Sequence, residues 1–377
     1  MIMSEFNNYR PATPFSSSFT VMKMRYNELD KHIIEKEFAK VDDTCNVFIN
    51  FECVMNNITG IKDIENKLLL ERNFATILES EALNLCAHYK KFFLYNQVPC
   101  RIFLYYTDLN SNQYADYKYN EDFRSYYTNK FIYNPKDQML GRHMQNSIIP
   151  RIQKIMEFIP DVHFIIAQNF EGSLIPDIIA SSDPKVKNFV ITGDRYETQY
   201  MLRPNFMVHY IKYWPGGYMV YYDFPKYLKD DIFREEEEDS QREIIHLLEH
   251  PALYTSLLAI RGNKPRSIDP IKGYGMKTIM KCIKEGITDG KITEETSSPQ
   301  MLKDILDDDK RDDFVSNFLC TDLFSQRSEV TRSMVSAVMN QISNRSDLNS
   351  LVELNRTTYV DYPLQLEELT GKIVNNR

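Results

Sequence analysis

Short apolar runs, each closing on polar or acidic positions, recur along the first half of the chain: residues 46–52 (NVFINFE), 101–108 (RIFLYYTD), 162–167 (VHFIIA) and the FVI of NFVITGD at 188–194. Unbroken apolar runs of this length fit strands buried on both faces. Between the first two lies residues 66–97, where Leu69, Leu70, Phe74, Ile77, Leu78, Leu83 and Leu85 recur at helical spacing, facing a core. Residues 176–181 (PDIIAS) open with Pro-Asp, a helix start. Strands alternating with helical segments predict an α/β fold built on a mostly parallel sheet flanked by helices. Trp214-Pro215-Gly216-Gly217 interrupts the apolar stretch 210–222 and predicts a hairpin. The pattern places a helix at 20–41 and three more at 299–307, 312–324 and 328–342, and shows no internal repeat.

Chemistry concentrates in two places. Residues 261–283 (RGNKPRSIDPIKGYGMKTIMKCI) read as a loop, a Gly273-Tyr274-Gly275 turn and a helix from Met276. Glycines let backbone approach a neighbour closely, and a helix start offers unpaired N–H groups to a phosphate. Lys272, Lys277 and Thr278 add donors, and an ordinary tight turn fits the same residues. Upstream, the apolar run Phe189-Val190-Ile191 reads as a strand that ends in Thr192, Gly193 and Asp194, at the sheet end where open α/β folds bind ligands.

In order, these pieces resemble the phage-type flap endonuclease and 5′-3′ exonuclease family, from about residue 46 to residue 285. NVFINFE is similar to its first strand, and Asp108 followed by Tyr117-Lys118 and Arg124 to its second-strand Asp and YK-x-N-R segment. Pro176-Asp177 is similar to its acidic-pair helix, TGDRYETQ to its S/T-G-D-x-D-x-x-Q strand end, and RGNKPRSIDPIKGYGMKT to its helix–hairpin–helix. The resemblance implies a PIN-like, flap-endonuclease-like α/β domain with a helix–hairpin–helix subdomain that holds duplex DNA. It also implies hydrolysis by two divalent metals about 4 Å apart.

The departures shape the expectation. Asn50 stands where the family has the first-strand Asp, Pro176 in the acidic pair, Tyr196 for the second Asp of D-x-D, and Asn263 and Arg266 before the hairpin. Asp108, Asp177 and Asp194 stay in register, with Glu52, Glu171 and Glu197 nearby. Hard cations need carboxylate oxygens, so the expectation is no required cofactor and at most one weakly held Mg²⁺ on Asp108, Asp177 and Asp194, with Glu171 as a further candidate. Each acid also fits a plain role: Asp194 as a helix N-cap, Asp177 in a first helical turn, Asp108 as a turn former.

Composition changes the picture in three ways. The chain has 377 residues, 43% of them hydrophobic, enough for a large core. Its net charge of −8 is unlike a DNA-coating protein and confines any nucleic-acid contact to local cations. REEEED at 234–239 and DILDDDKRDD at 304–313 read as solvated faces. Lys118, Arg124 and Lys130 interleave with tyrosines at 114–133, which suits single-stranded nucleic acid, although Asp116, Glu121 and Asp122 offset them. The 6 cysteines show no CxxC spacing and read as reduced, mostly buried intracellular thiols. No window approaches the roughly 18 apolar residues of a membrane span, so no membrane partner is expected.

The expected organisation is an arm and leading helix (1–45), a nuclease-like α/β domain (46–225), a helix–hairpin–helix subdomain (226–292) and an acidic helical C-terminal extension (293–377). The leading reading is a catalytically degenerate flap-endonuclease-like protein. It binds nucleic acid weakly, DNA in preference to RNA, through Arg266, Lys272, Gly273, Gly275, Lys277, Thr278, Lys118 and Arg124, beside protein partners in a processing assembly. Abundant Tyr, Phe, Asn and Lys, a bias of AT-rich genomes, point to a virus, hence to host cytoplasm or the virion. An active 5′ nuclease with a rearranged one-metal site and a purely architectural virion or polymerase component are the alternatives.

Overall fold

A computed structural model of the chain describes residues 44–52, 78–79, 82–83, 85–87, 89–90, 93, 98–108, 148–168, 170–203, 205–212, 218–222, 254–262, 268–275, 278–279, 304–305, 309–323 and 331–344. The predicted strands form, as β1 (Cys45–Asn50), β2 (Cys100–Thr107), β3 (Val162–Ala167) and β4 (Asn188–Thr192). The sequence-predicted hairpin is larger than its turn suggested. Its first arm, β5 (Phe206–Lys212), pairs in parallel with β4, and β6 (Tyr218–Tyr222) returns antiparallel along the edge. The sheet order is β3-β2-β1-β4-β5-β6, five parallel strands and one antiparallel edge, so the expected mostly parallel α/β architecture is what the chain adopts.

Register explains the packing. Phe48, Phe103 and His163 are partners across β1, β2 and β3. Their rings stack, with centroids 5.2 Å apart for Phe48–Phe103 and 5.0 Å for Phe103–His163. On the opposite face Phe189 of β4 meets Tyr89 and Phe93, which lie in the amphipathic stretch predicted at 66–97. The described residues of that stretch from 78 to 93 are helical, and Leu78, Leu83, Leu85 and Phe93 are buried as expected. Helix α1 (Ile149–Met156) buries Ile149, Ile152, Ile155 and Met156 along one stripe. Cys45, Cys86 and Cys100 are free and buried, and burial pushes all three thiols up, Cys100 to about 12.

Beyond β3, a 3-10 turn (Gly172–Leu174) runs into the short helix α2 (Ile175–Ala180). A second 3-10 helix (Arg195–Leu202) follows β4. Helices α3 (Tyr254–Arg261), α4 (Arg311–Thr321) and α5 (Arg332–Ser343) then share one continuous apolar cluster with the sheet, in which Leu257, Phe314 and Val338 join Phe103, Tyr105 and Ile165. Of the three predicted C-terminal helices, α4 and α5 match two with shifted ends. The third, at 299–307, is described only at 304–305, which are helical. The predicted arm and the helix at 20–41 lie outside the described residues.

Candidate functional site

The strand order places the candidate site. β1 is followed by β2 and β3 on one side, and β4 and β5 then build on the other, so the order reverses between β1 and β4. Open α/β sheets bind ligands at the carboxyl ends of the strands at such a reversal. Asn50 ends β1, Tyr105 and Thr107 lie at the end of β2, and Thr192 ends β4.

Their centre is Glu197, which is fully buried. Asn50 donates its amide to Glu197 Oε2 at 2.8 Å, and the Tyr105 hydroxyl donates to Oε1 at 2.9 Å. Asn50 is itself oriented, because its Oδ1 accepts from Glu52 N at 3.0 Å. Burial pushes the Glu197 carboxyl up to about 8, and the Asp194 charge adds to the rise, while hydrogen bonds from Asn50, Thr192 and Tyr105 oppose it.

Three of the neighbouring acids, Asp194, Glu52 and Asp177, have side-chain partners within the protein. Asp194 caps the 3-10 helix by accepting from Tyr196 N at 3.0 Å, the N-cap role its position allowed. Glu52 Oε1 accepts from Thr107 N at 3.0 Å. Asp177 is buried in the first turn of α2, its carboxylate 2.8 Å from the Arg203 guanidinium. Glu171, also buried, precedes the 3-10 turn as its N-cap residue. Asp108 lies just past β2, half-buried, its N–H donating to Ala167 O at 2.8 Å.

Mg²⁺ requires several ionised oxygens facing one point. Here Asn50 presents an amide at the reversal, and Arg203 brings a positive charge to Asp177. Among the described residues, no three His, Cys, Asp or Glu side chains gather closely enough to hold a metal.

The second candidate surface follows α3. Lys272 and Gly273 form a turn, Gly273 with φ of +92°, and Ile279 N donates to Gly275 O at 3.0 Å, the first bond of the next helix. Lys272, Gly273, Gly275 and Thr278 are exposed. Arg266, Lys277, Lys118 and Arg124 lie outside the described residues.

Two features of the site go beyond the sequence reading, which named Glu197 only as an acid lying nearby and did not name Arg203. Glu197 sits three residues after Asp194, the D-x-x-E spacing of a capping box, which suggests a local partner. Its side chain instead crosses to Asn50 and Tyr105. The partner of Asp177, Arg203, gave no signal beyond its charge.

No protein-family model and no curated protein sequence matches this chain. Among solved structures it is similar to bacteriophage T5 5′-exonuclease with zinc bound, at 10% identity and a TM-score of 0.47 over 79% of this chain and 98% of that one. It is also similar to the T5 flap endonuclease in a pseudo-enzyme–product complex with DNA and metal ions, at 12% identity and a TM-score of 0.45 over 79% of this chain and 97% of that one.

Proposed function

We propose that this chain is a flap-endonuclease-like protein that holds nucleic acid within a DNA- or RNA-processing assembly without cleaving it. The observation that carries the reading is the Asn50–Glu197 pair at the sheet reversal. An amide donates to a buried carboxyl at 2.8 Å where the sequence resemblance leads one to expect the first-strand Asp. The Asp177–Arg203 ion pair supports the same reading, since a guanidinium there supplies the positive charge a metal otherwise brings. Catalysis by two metals depends on clamping both the attacking and the leaving oxygen, and these residues provide no such clamp.

Binding falls to the exposed turn at 272–275, where main-chain N–H groups and Lys272 suit a phosphodiester backbone of either DNA or RNA. With a net charge of −8 opposing it, association is weak and lost as salt rises. Residue bias supports a viral origin and an intracellular assembly with protein partners. The test is incubation of the purified chain with 5′-flap and nicked duplexes in Mg²⁺ and in Mn²⁺. The expected result is no product above background, together with retention of the flap substrate at low salt. Turnover that disappears in Asp194→Ala would establish a working one-metal site instead.

A further inference from the structure

The exposed turn is shaped from outside its own segment. Helix α3 ends at Gly262, whose φ of +68° and closeness to the returning chain exclude a side chain: a Cβ there would stand 2.5 Å from Ile268 O. The chain comes back alongside the helix end, with Ile271 N donating to Ile260 O at 2.9 Å, and closes the turn with Tyr274 N on Ile271 O at 3.1 Å. Asn317, on α4, donates one amide hydrogen to Ala259 O at 3.1 Å and the other to Asp269 O at 2.8 Å. Ala259 lies in the last turn of α3 and Asp269 just before the turn, so one side chain spans both arms of the loop. Lys310, at the head of the same helix, holds its ammonium 5.9 Å from the centre of the Tyr274 ring.

The turn so held faces outward. Gly275 is exposed, and a Cβ added to it would meet nothing within 4 Å. Its missing side chain therefore relieves no internal contact and leaves the main chain open on the solvent side.

We propose that Asn317 is a positioning residue, which ties the end of α3 to the segment before the turn and so holds residues 272–275 in the shape that meets a phosphodiester backbone. This rests on the nucleic-acid-binding reading above. A primary amide suits the task, having two hydrogens at a fixed angle for two carbonyl oxygens. Asn317→Asp keeps the shape but turns both donors into acceptors facing those carbonyls.

The test uses the full chain and a labelled 5′-flap duplex at about 50 and about 200 mM salt. Asn317→Ala and Asn317→Asp are compared with Lys272→Ala. Both Asn317 variants are expected to weaken binding about 5- to 20-fold at low salt, and Asn317→Ala, which changes no charge, should leave the slope of log affinity against log salt unchanged. Lys272→Ala is expected to lower that slope by about one. Amide hydrogen exchange of the free protein gives an independent readout: Asn317→Ala should speed exchange at 271–279 and leave β1 and β4 unchanged. Normal binding by both Asn317 variants overturns this role alone. Equal acceleration throughout β1 and β4 overturns it too, by showing only general loosening. A wild-type chain that binds no oligonucleotide overturns the binding reading and this role with it.

Discussion

A carboxyl group that accepts hydrogen bonds from Asn50 and Tyr105 while wholly removed from water is under two opposed pressures. Burial and the nearby Asp194 charge favour its protonated form, and the donors favour its ionised form. The outcome, about 8 against an ordinary 4.5, means that the folded state keeps a proton the unfolded chain releases. The sign follows: this group's contribution to stability is full below pH 4.5 and is lost as pH rises towards 8. Glu197→Gln, which cannot ionise, should lack that loss. In urea titrations at pH 5 and pH 8.5, the variant should gain on the wild type at the higher pH by on the order of 4 kcal/mol. If the two proteins change in parallel between those pH values, Glu197 is ionised throughout. Such a residue was hard to read in advance, since its hydrogen bond to Asn50 joins positions 147 apart. Asp194, by contrast, acts within its own turn, and its N-cap role was legible from its place after a strand.

Among the elements, the buried parallel strands were the most legible, because strands covered on both faces need continuous apolar residues and little else matches that pattern. The parallel pairing of β5 was not, since the apolar stretch was read from Tyr210 onward and its first residues, Phe206–His209, were left out. Nor was the covering of the sheet edge. Ile166 turns its N–H and C=O away from β2, and Gln341 of α5 meets them with its amide, at 2.9 and 3.1 Å, as a neighbouring strand would. The 3-10 turn at Gly172 shows how closely such elements are seated. Gly172 N donates to Thr107 Oγ1 at 3.1 Å, and an added Cβ would lie 2.8 Å from that oxygen and 3.3 Å from the β2 backbone. Gly172→Ala should therefore cost about 1–3 kcal/mol of stability. Thr107→Ala removes the nearest clashing atom, so a double-mutant cycle should show the two substitutions coupled, the pair costing less than the sum. Strict additivity would mean that the turn yields without touching β2.

At the scale of the whole molecule, the question is whether the helices after residue 254 form a separate unit or belong to the body of the sheet. Gln199 answers in chemical terms. From the 3-10 helix beside the candidate site it donates to Thr321 O at 2.7 Å and accepts from the Thr255 hydroxyl at 3.1 Å, joining α4 and α3 to the end of β4. Thr198 adds a hydroxyl contact to Tyr254. Phe314, Leu323 and Val338 lie in the same apolar cluster as Tyr105 and Ile165, so removing the C-terminal helices would expose core on the face that carries the site. The sequence reading set α4 and α5 apart as an acidic extension, because DILDDDKRDD and the polar residues around it mask a few apolar positions spaced along them. Buried polar atoms left without partners and newly exposed apolar surface both oppose a stable remnant. We therefore expect the full chain to unfold in a single transition, with the fluorescence of its one tryptophan and far-ultraviolet circular dichroism changing together. A chain ending at residue 308 should lose that cooperativity and bind apolar dyes. If the shortened chain instead melts as sharply as the whole, with its sheet signal intact, the α/β domain folds without α4 and α5, and the Gln199 and Gln341 bridges are contacts between independent units.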